Sequence, residues 1–93
     1  MSKINLLGTG IVGSAAAFDL VRRGHEVSVA DADPAAAARC GDELGIPHRT
    51  IDAGDPADVA RFIDGCDAVV SAVPYGYGTI VAEAAVAAGC HYL

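Results

Sequence analysis

The chain has 93 residues and a mass of 9.4 kDa, which bounds it to one small domain. Hydrophobic residues make up 53% and charged residues 19%, enough apolar material for a packed core and too much for a disordered chain. Twelve acidic residues against six basic ones give a net charge of −6 and a pI near 4.6, which argues against nucleic acid or an anionic membrane surface as a partner. Alanine supplies 19 residues and aromatics only 5%, so the core has to be built from small and β-branched side chains.

The uncharged run over residues 4–18 is too short for a membrane span, which needs roughly 20 apolar residues. Its three glycines and the single Lys3 before it also argue against a signal peptide, so a cytoplasmic protein is expected. Residues 3–7 read as a first strand. Residues 11–23 read as a helix with Val12, Ala16 and Leu20 on one face at the i, i+4 spacing and Gly24 as its left-handed cap. Residues 26–31 form a second strand, Val27 and Val29 alternating with Ser28. Asp33 and Pro34 supply an N-cap and a first helical residue for a helix that runs to Leu44 and ends at Gly45. A short strand follows over residues 48–51. Asp55 and Pro56 repeat the cap signature for a helix to Ile63, stopped by Gly65.

Residues 68–72 are continuous and apolar, as a strand buried on both faces should be. Residues 79–88 read as an alanine-rich helix closed by Gly89, and residues 90–93 begin a fifth strand. Strand and helix alternating at these lengths predict an α/β fold: a doubly wound parallel sheet of about five strands with flanking helices. One domain covers residues 1–93.

The three cysteines, Cys40, Cys66 and Cys90, are spaced by 26 and 24 residues, match no zinc or redox pattern, and read as small core thiols of a reducing compartment. His25, His48 and His91 have no carboxylate or cysteine partner at useful spacing and read as structural, so no metal site is expected.

The informative motif is Gly8-Thr9-Gly10-Ile11-Val12-Gly13. It follows a predicted strand, opens a predicted helix, and is followed 18 positions after Gly13 by Asp31 at the end of the next strand. Those contexts turn a common glycine pattern into a dinucleotide-binding fingerprint. Gly8 allows the tight turn, Gly10 lets a pyrophosphate approach the backbone, and Gly13 lets the helix pack closely. The amides near Ile11 and Val12 lie at the positive end of the helix dipole. Asp31 is placed to accept both adenosine ribose hydroxyls and to repel a 2′-phosphate, with Asp33 adding charge and no arginine at 32–34. NAD is therefore expected over NADP. Asp52, after the third strand, is placed either at the adenine edge or as a turn cap. Ser71, Ala72, Val73 and Pro74 end the fourth strand beside the first, where ligands lie in open α/β sheets. Tyr75 and Tyr77 read as loop packing residues.

These residues resemble the N-terminal NAD(P)-binding domain of the saccharopine dehydrogenase family, which includes lysine 6-dehydrogenase-like enzymes. The resemblance rests on the glycine motif, Asp31-Ala32-Asp33, Ile51-Asp52-Ala53 and above all the run from Asp67 to Pro74. It continues through Tyr75-Gly76-Tyr77-Gly78 and the helix leading to Cys90-His91-Tyr92-Leu93. The resemblance implies an oxidoreductase passing hydride between nicotinamide and the carbon–nitrogen bond of an amino acid. The chain stops before the family's substrate domain, so no catalytic residue is carried over, and a truncated, inactive cofactor half is expected. Its last strand would leave an unpaired edge, so a homo-oligomer is expected. The stretch from Gly24 to Pro34 also resembles the nucleotide-sensing domains that regulate potassium channels and transporters and bind NAD without turnover. The final third fits the saccharopine-like pattern better.

Overall fold

The computed structural model describes residues 2–72 and 78–92. Five parallel strands form one sheet in the order β3-β2-β1-β4-β5, and four helices connect them. The strands are β1 (Lys3–Leu7), β2 (Glu26–Asp31), β3 (His48–Thr50), β4 (Ala68–Ser71) and β5 (His91–Tyr92). The helices are α1 (Ile11–Arg22), α2 (Pro34–Leu44), α3 (Pro56–Ile63) and α4 (Gly78–Ala88). The expected doubly wound sheet is present, with element ends moved by a residue or two, where helices and strands fray.

Side-chain alternation along the strands divides the core in two. Leu6, Val27, Val29 and Val70 point to the face covered by α1 and α2, where Ala17, Leu20, Val21 and Cys40 meet them. Leu7, Ala30 and Val69 point to the other face, against Val59, Phe62 and Ile63 of α3 and Val81 and Ala85 of α4. The register matches this division, since Leu6 lies opposite both Val29 and Val70, and Leu7 opposite Ala30. Each large apolar side chain buried this way stabilises the fold by about 1.5–3 kcal/mol.

Local chemistry sets the helix ends. α1 closes in a Schellman motif: the Gly24 amide donates to the Val21 carbonyl and the His25 amide to that of Leu20, with Gly24 at φ +88°. Arg23 is the cap, one residue beyond the helix it was expected to end. α2 and α3 begin on the Asp-Pro pairs as expected, the Asp33 carboxylate accepting from the Ala35 amide and that of Asp55 from the Ala57 amide, each at 3.0 Å. Asn5 lies on β1 beneath α3 and donates from Nδ2 to the Phe62 carbonyl at 2.6 Å, tying the last turn of α3 to the sheet.

Two expectations fail. Val12 does not face inward; it is 75% exposed, and the inner face of α1 runs through Gly13, Ala17 and their neighbours Ala16, Leu20 and Val21. The helical spacing accommodates both faces, and contact with the sheet chooses between them. Nor is β4 buried on both faces. Val69 is fully buried, whereas Ala68, Val70 and Ser71 are half-buried. α1 and α2 sit over β1 and β2, leaving that face of β4 partly open, and its neighbour β5 is only two residues long.

Candidate functional site

The carboxyl ends of β1, β2, β3 and β4 surround a cavity of about 460 Å³. Its walls are Leu7, Gly8 and Gly10 from the first turn, Ala30, Asp31 and Ala32 after β2, Ile51, Asp52 and Ala53 after β3, and Ala72 after β4. The chain leaves β1 for β2 on one side and returns to β4 on the other. The cavity therefore sits where the strand order reverses, the usual ligand position in open α/β sheets. A smaller cavity of about 220 Å³ opens at the other end of the sheet, lined by Lys3, Asn5 and Phe62 among others, away from the glycine turn.

Each glycine of the motif meets a different demand. Gly8 leaves β1 at φ +95°, a conformation that side chains disfavour, while its amide still donates to the Ala30 carbonyl at 2.8 Å. A Cβ on Gly13 would collide with the Gly8 carbonyl oxygen and would touch the Ala72 side chain at 3.5 Å. The close approach it permits is thus between helix and turn. A Cβ on Gly10 would meet nothing within 4 Å, so open space lies in front of that backbone. Gly10 is also the N-cap of α1 and has no side chain to satisfy the first amides, and the first turn carries no acidic residue. Ile11 and Val12 occupy this turn, with donors available to an anion.

Asp31 is the most engaged carboxylate at the site. Its Oδ2 accepts from both the amide and the hydroxyl of Thr9, at 2.7 Å each, and its Oδ1 accepts from the Asp33 amide at 2.9 Å. Burial works against the charge of Asp31, but the hydrogen bonds from Asp33, Thr9 and Ala32 outweigh it and hold the carboxyl below its usual range.

Thr9 sits behind the cavity wall, 5% exposed. Its carbonyl accepts from the Ser14 hydroxyl at 2.8 Å, so all of its polar groups are engaged within the protein. The Thr9–Asp31 contact spans 22 residues and carries no local sequence signal. It becomes legible only from the register: Leu7 beside Ala30 brings the two following turns together.

Asp52 lines the cavity and caps its own turn, accepting from the Gly54 amide at 2.8 Å, so both expected roles are geometrically open to it. Ser71 pairs with Leu7 one residue before the cavity wall, and Ala72 forms part of that wall. Val73, Pro74, Tyr75 and Tyr77 lie outside the described residues. The thiols of Cys66 and Cys90 lie 3.5 Å apart at the opposite end of the sheet, a meeting their spacing did not suggest. Burial pushes the Cys66 thiol up to about 12, helped by Cys90, and keeps it protonated. Among the described residues no helix is long and apolar enough to cross a membrane.

Residues 4–93 match the family model described as the saccharopine dehydrogenase NADP binding domain. Among solved structures, the saccharopine dehydrogenase (L-Glu forming) of Saccharomyces cerevisiae superposes with a TM-score of 0.86 at 22% identity, covering 99% of this chain and 21% of that one. At that identity the likeness carries the fold alone. An NADPH-dependent quinone oxidoreductase from Escherichia coli superposes at 0.76 with 27% identity, over 94% of this chain and 32% of its own. A D-amino acid dehydrogenase of Cereibacter sphaeroides is 54% identical over 35 residues, which is 38% of this chain and 8% of that protein. The chain thus spans a small part of the curated relatives it matches, and about a fifth of the yeast enzyme.

Proposed function

The chain belongs to the saccharopine dehydrogenase NADP-binding domain family, and from that premise we propose that it holds NAD for an oxidoreductase acting on the carbon–nitrogen bond of an amino acid. A nicotinamide dinucleotide is the cofactor class of the family. The observation that carries the reading is the cavity at the strand reversal, where Gly10 leaves open space before the uncapped start of α1. Gly8, Gly10 and Gly13 shape the turn, and the amides of Ile11 and Val12 meet the pyrophosphate. Asp31 holds the adenosine ribose, Asp52 and Ala53 flank the adenine, and the segment from Ser71 through Ala72 and Val73 to Pro74 borders the nicotinamide half. Bound nicotinamide would supply the acceptor or donor of hydride. This chain's residues bind and orient it, and the groups that handle the amino acid belong to a further domain of the full enzyme.

The choice of NAD rests on charge. The family description names NADP, but Asp31 is ionised at the ribose end, Asp33 stands beside it, and residues 32–34 offer no arginine for a 2′-phosphate. An amino acid as substrate draws support from the family and from the name of the Cereibacter relative. The family match over residues 4–93 also favours this reading over nucleotide sensing without turnover. Residues 1–93 act as one cofactor domain of a cytoplasmic homo-oligomer. Titration of the protein with NAD and NADP, followed by amide NMR shifts, tests the reading. NAD should perturb the amides of residues 8–14 and 31–33 at lower concentration than NADP, and Asp31→Ala should narrow the gap. Equal affinity for both would remove the NAD assignment, and no binding of either would remove the function.

A further inference from the structure

We propose that Thr9 is the positioning residue that sets cofactor choice, by fixing the Asp31 carboxylate at the ribose end of the cleft. The inference rests on the dinucleotide reading above and adds to it the device that makes the acid selective.

Asp31 is only half-buried, and a half-exposed carboxylate ordinarily turns toward water when a second anion arrives. Here Oδ2 cannot turn freely. Two Thr9 donors hold it at 2.7 Å, and Thr9 is in turn held by the Ser14 hydroxyl on its carbonyl and by its own burial. The other oxygen is anchored by the Asp33 amide. A ribose hydroxyl would donate to a carboxylate already held in this orientation. A 2′-phosphate meets instead a negative charge held in place by those bonds, and residues 32–34 offer no arginine to offset it.

Thr9 therefore does not touch the cofactor through its side chain. Its hydroxyl is spent on Asp31, and its effect on the ligand passes through that carboxylate. The same contact ties the glycine turn after β1 to the end of β2, so the pyrophosphate cradle and the ribose acceptor keep one spacing. A charge-assisted hydrogen bond of this kind is worth about a tenfold change in an equilibrium.

The test uses ADP-ribose and its 2′-phosphate as probes, titrated into the 93-residue protein and followed by amide NMR shifts. Both carry the adenosine and pyrophosphate and neither needs the nicotinamide half to be covered. The unsubstituted protein should prefer ADP-ribose by about tenfold or more. Thr9→Val, which keeps the shape and removes the hydroxyl donor, should bring the two affinities within about threefold. Thr9→Ser should restore the preference. The carboxyl carbon shift of Asp31, followed against pH, should report a raised pKa in the valine variant and a restored one in the serine variant, a readout that a packing role would leave still. If valine disrupts the fold, Thr9→Ala replaces it under the same comparison. A folded Thr9→Val protein with an unchanged preference overturns the inference while leaving the dinucleotide reading in place. If neither probe shifts any amide of the unsubstituted protein, the dinucleotide reading itself falls.

Discussion

Two ways of starting a helix stand side by side at the carboxyl end of this sheet. α2 and α3 begin with aspartate and proline, and the aspartate accepts an amide of the first turn. α1 begins with Gly10, which accepts nothing through a side chain, and its first turn holds no acid. The first amides of any helix lack internal partners, so a closed start serves the fold alone and an open one leaves donors for something else. α1 gives up that local stabilisation at the point where the cavity beside the glycine turn opens. A glycine pattern in sequence says only that the turn is tight; the missing cap, beside a cavity, says that it is also open.

Substitutions can break this contrast or invert it. The largest effect should come from Gly13→Ala, whose new Cβ runs into the Gly8 carbonyl, a backbone atom that cannot swing aside. A loss of about 3 kcal/mol is expected, with Tm lower by about 15 °C in a thermal melt, and dinucleotide binding lost with the turn. Gly10→Asp inverts the contrast by giving α1 the start that α2 and α3 have. There is room for the side chain, so stability should rise by about 0.3 kcal/mol while affinity for ADP-ribose falls by about a hundredfold. Stability and binding moving together in that variant would mean that the open start is not where the anion sits.

Asp55→Ala opens a closed helix instead. It should cost about 1 kcal/mol and lower Tm by about 5 °C, with binding unchanged, because α3 starts outside the cavity wall. The smallest effect is acid sensitivity. Asp19, Asp31 and Asp58 all hold their carboxyls below the usual value of 3.8. A depressed pKa in the folded state adds stability that is present above that usual value and is lost as pH falls through the lowered one. Urea midpoints should therefore stay flat toward pH 5 and drop below about pH 4. Asp31→Asn should soften that drop, whereas a midpoint that rises as the pH is lowered below 4 would contradict the assigned directions.

What could be read from the sequence follows from the range of each signal. Asp33-Pro34 and Asp55-Pro56 act within one helical turn, and both caps form as expected. The glycine turn is also local, and Gly8 makes it at a positive φ. Val12 was misread because its spacing fits two faces of α1 and only the neighbouring strands choose between them. The half-burial of β4 depends on what lies over it, which its apolar run cannot report. The Thr9–Asp31 and Cys66–Cys90 contacts join residues more than 20 positions apart and exist only once the strands are in register.

Neighbouring residues on β1 serve different halves of the molecule, Leu6 anchoring the core under α1 and α2 and Leu7 the core under α3 and α4. Neither layer can come apart without uncovering the strand that the other rests on. The two layers should therefore melt in a single cooperative step, with the β1 amides exchanging with solvent only through global unfolding. Because β1 is flanked by β2 and β4, its second pairing has to wait for residues more than 60 positions along the chain. That long loop closure makes formation of the sheet slow for so small a protein, and the β1–β4 pairing is its expected rate-limiting event.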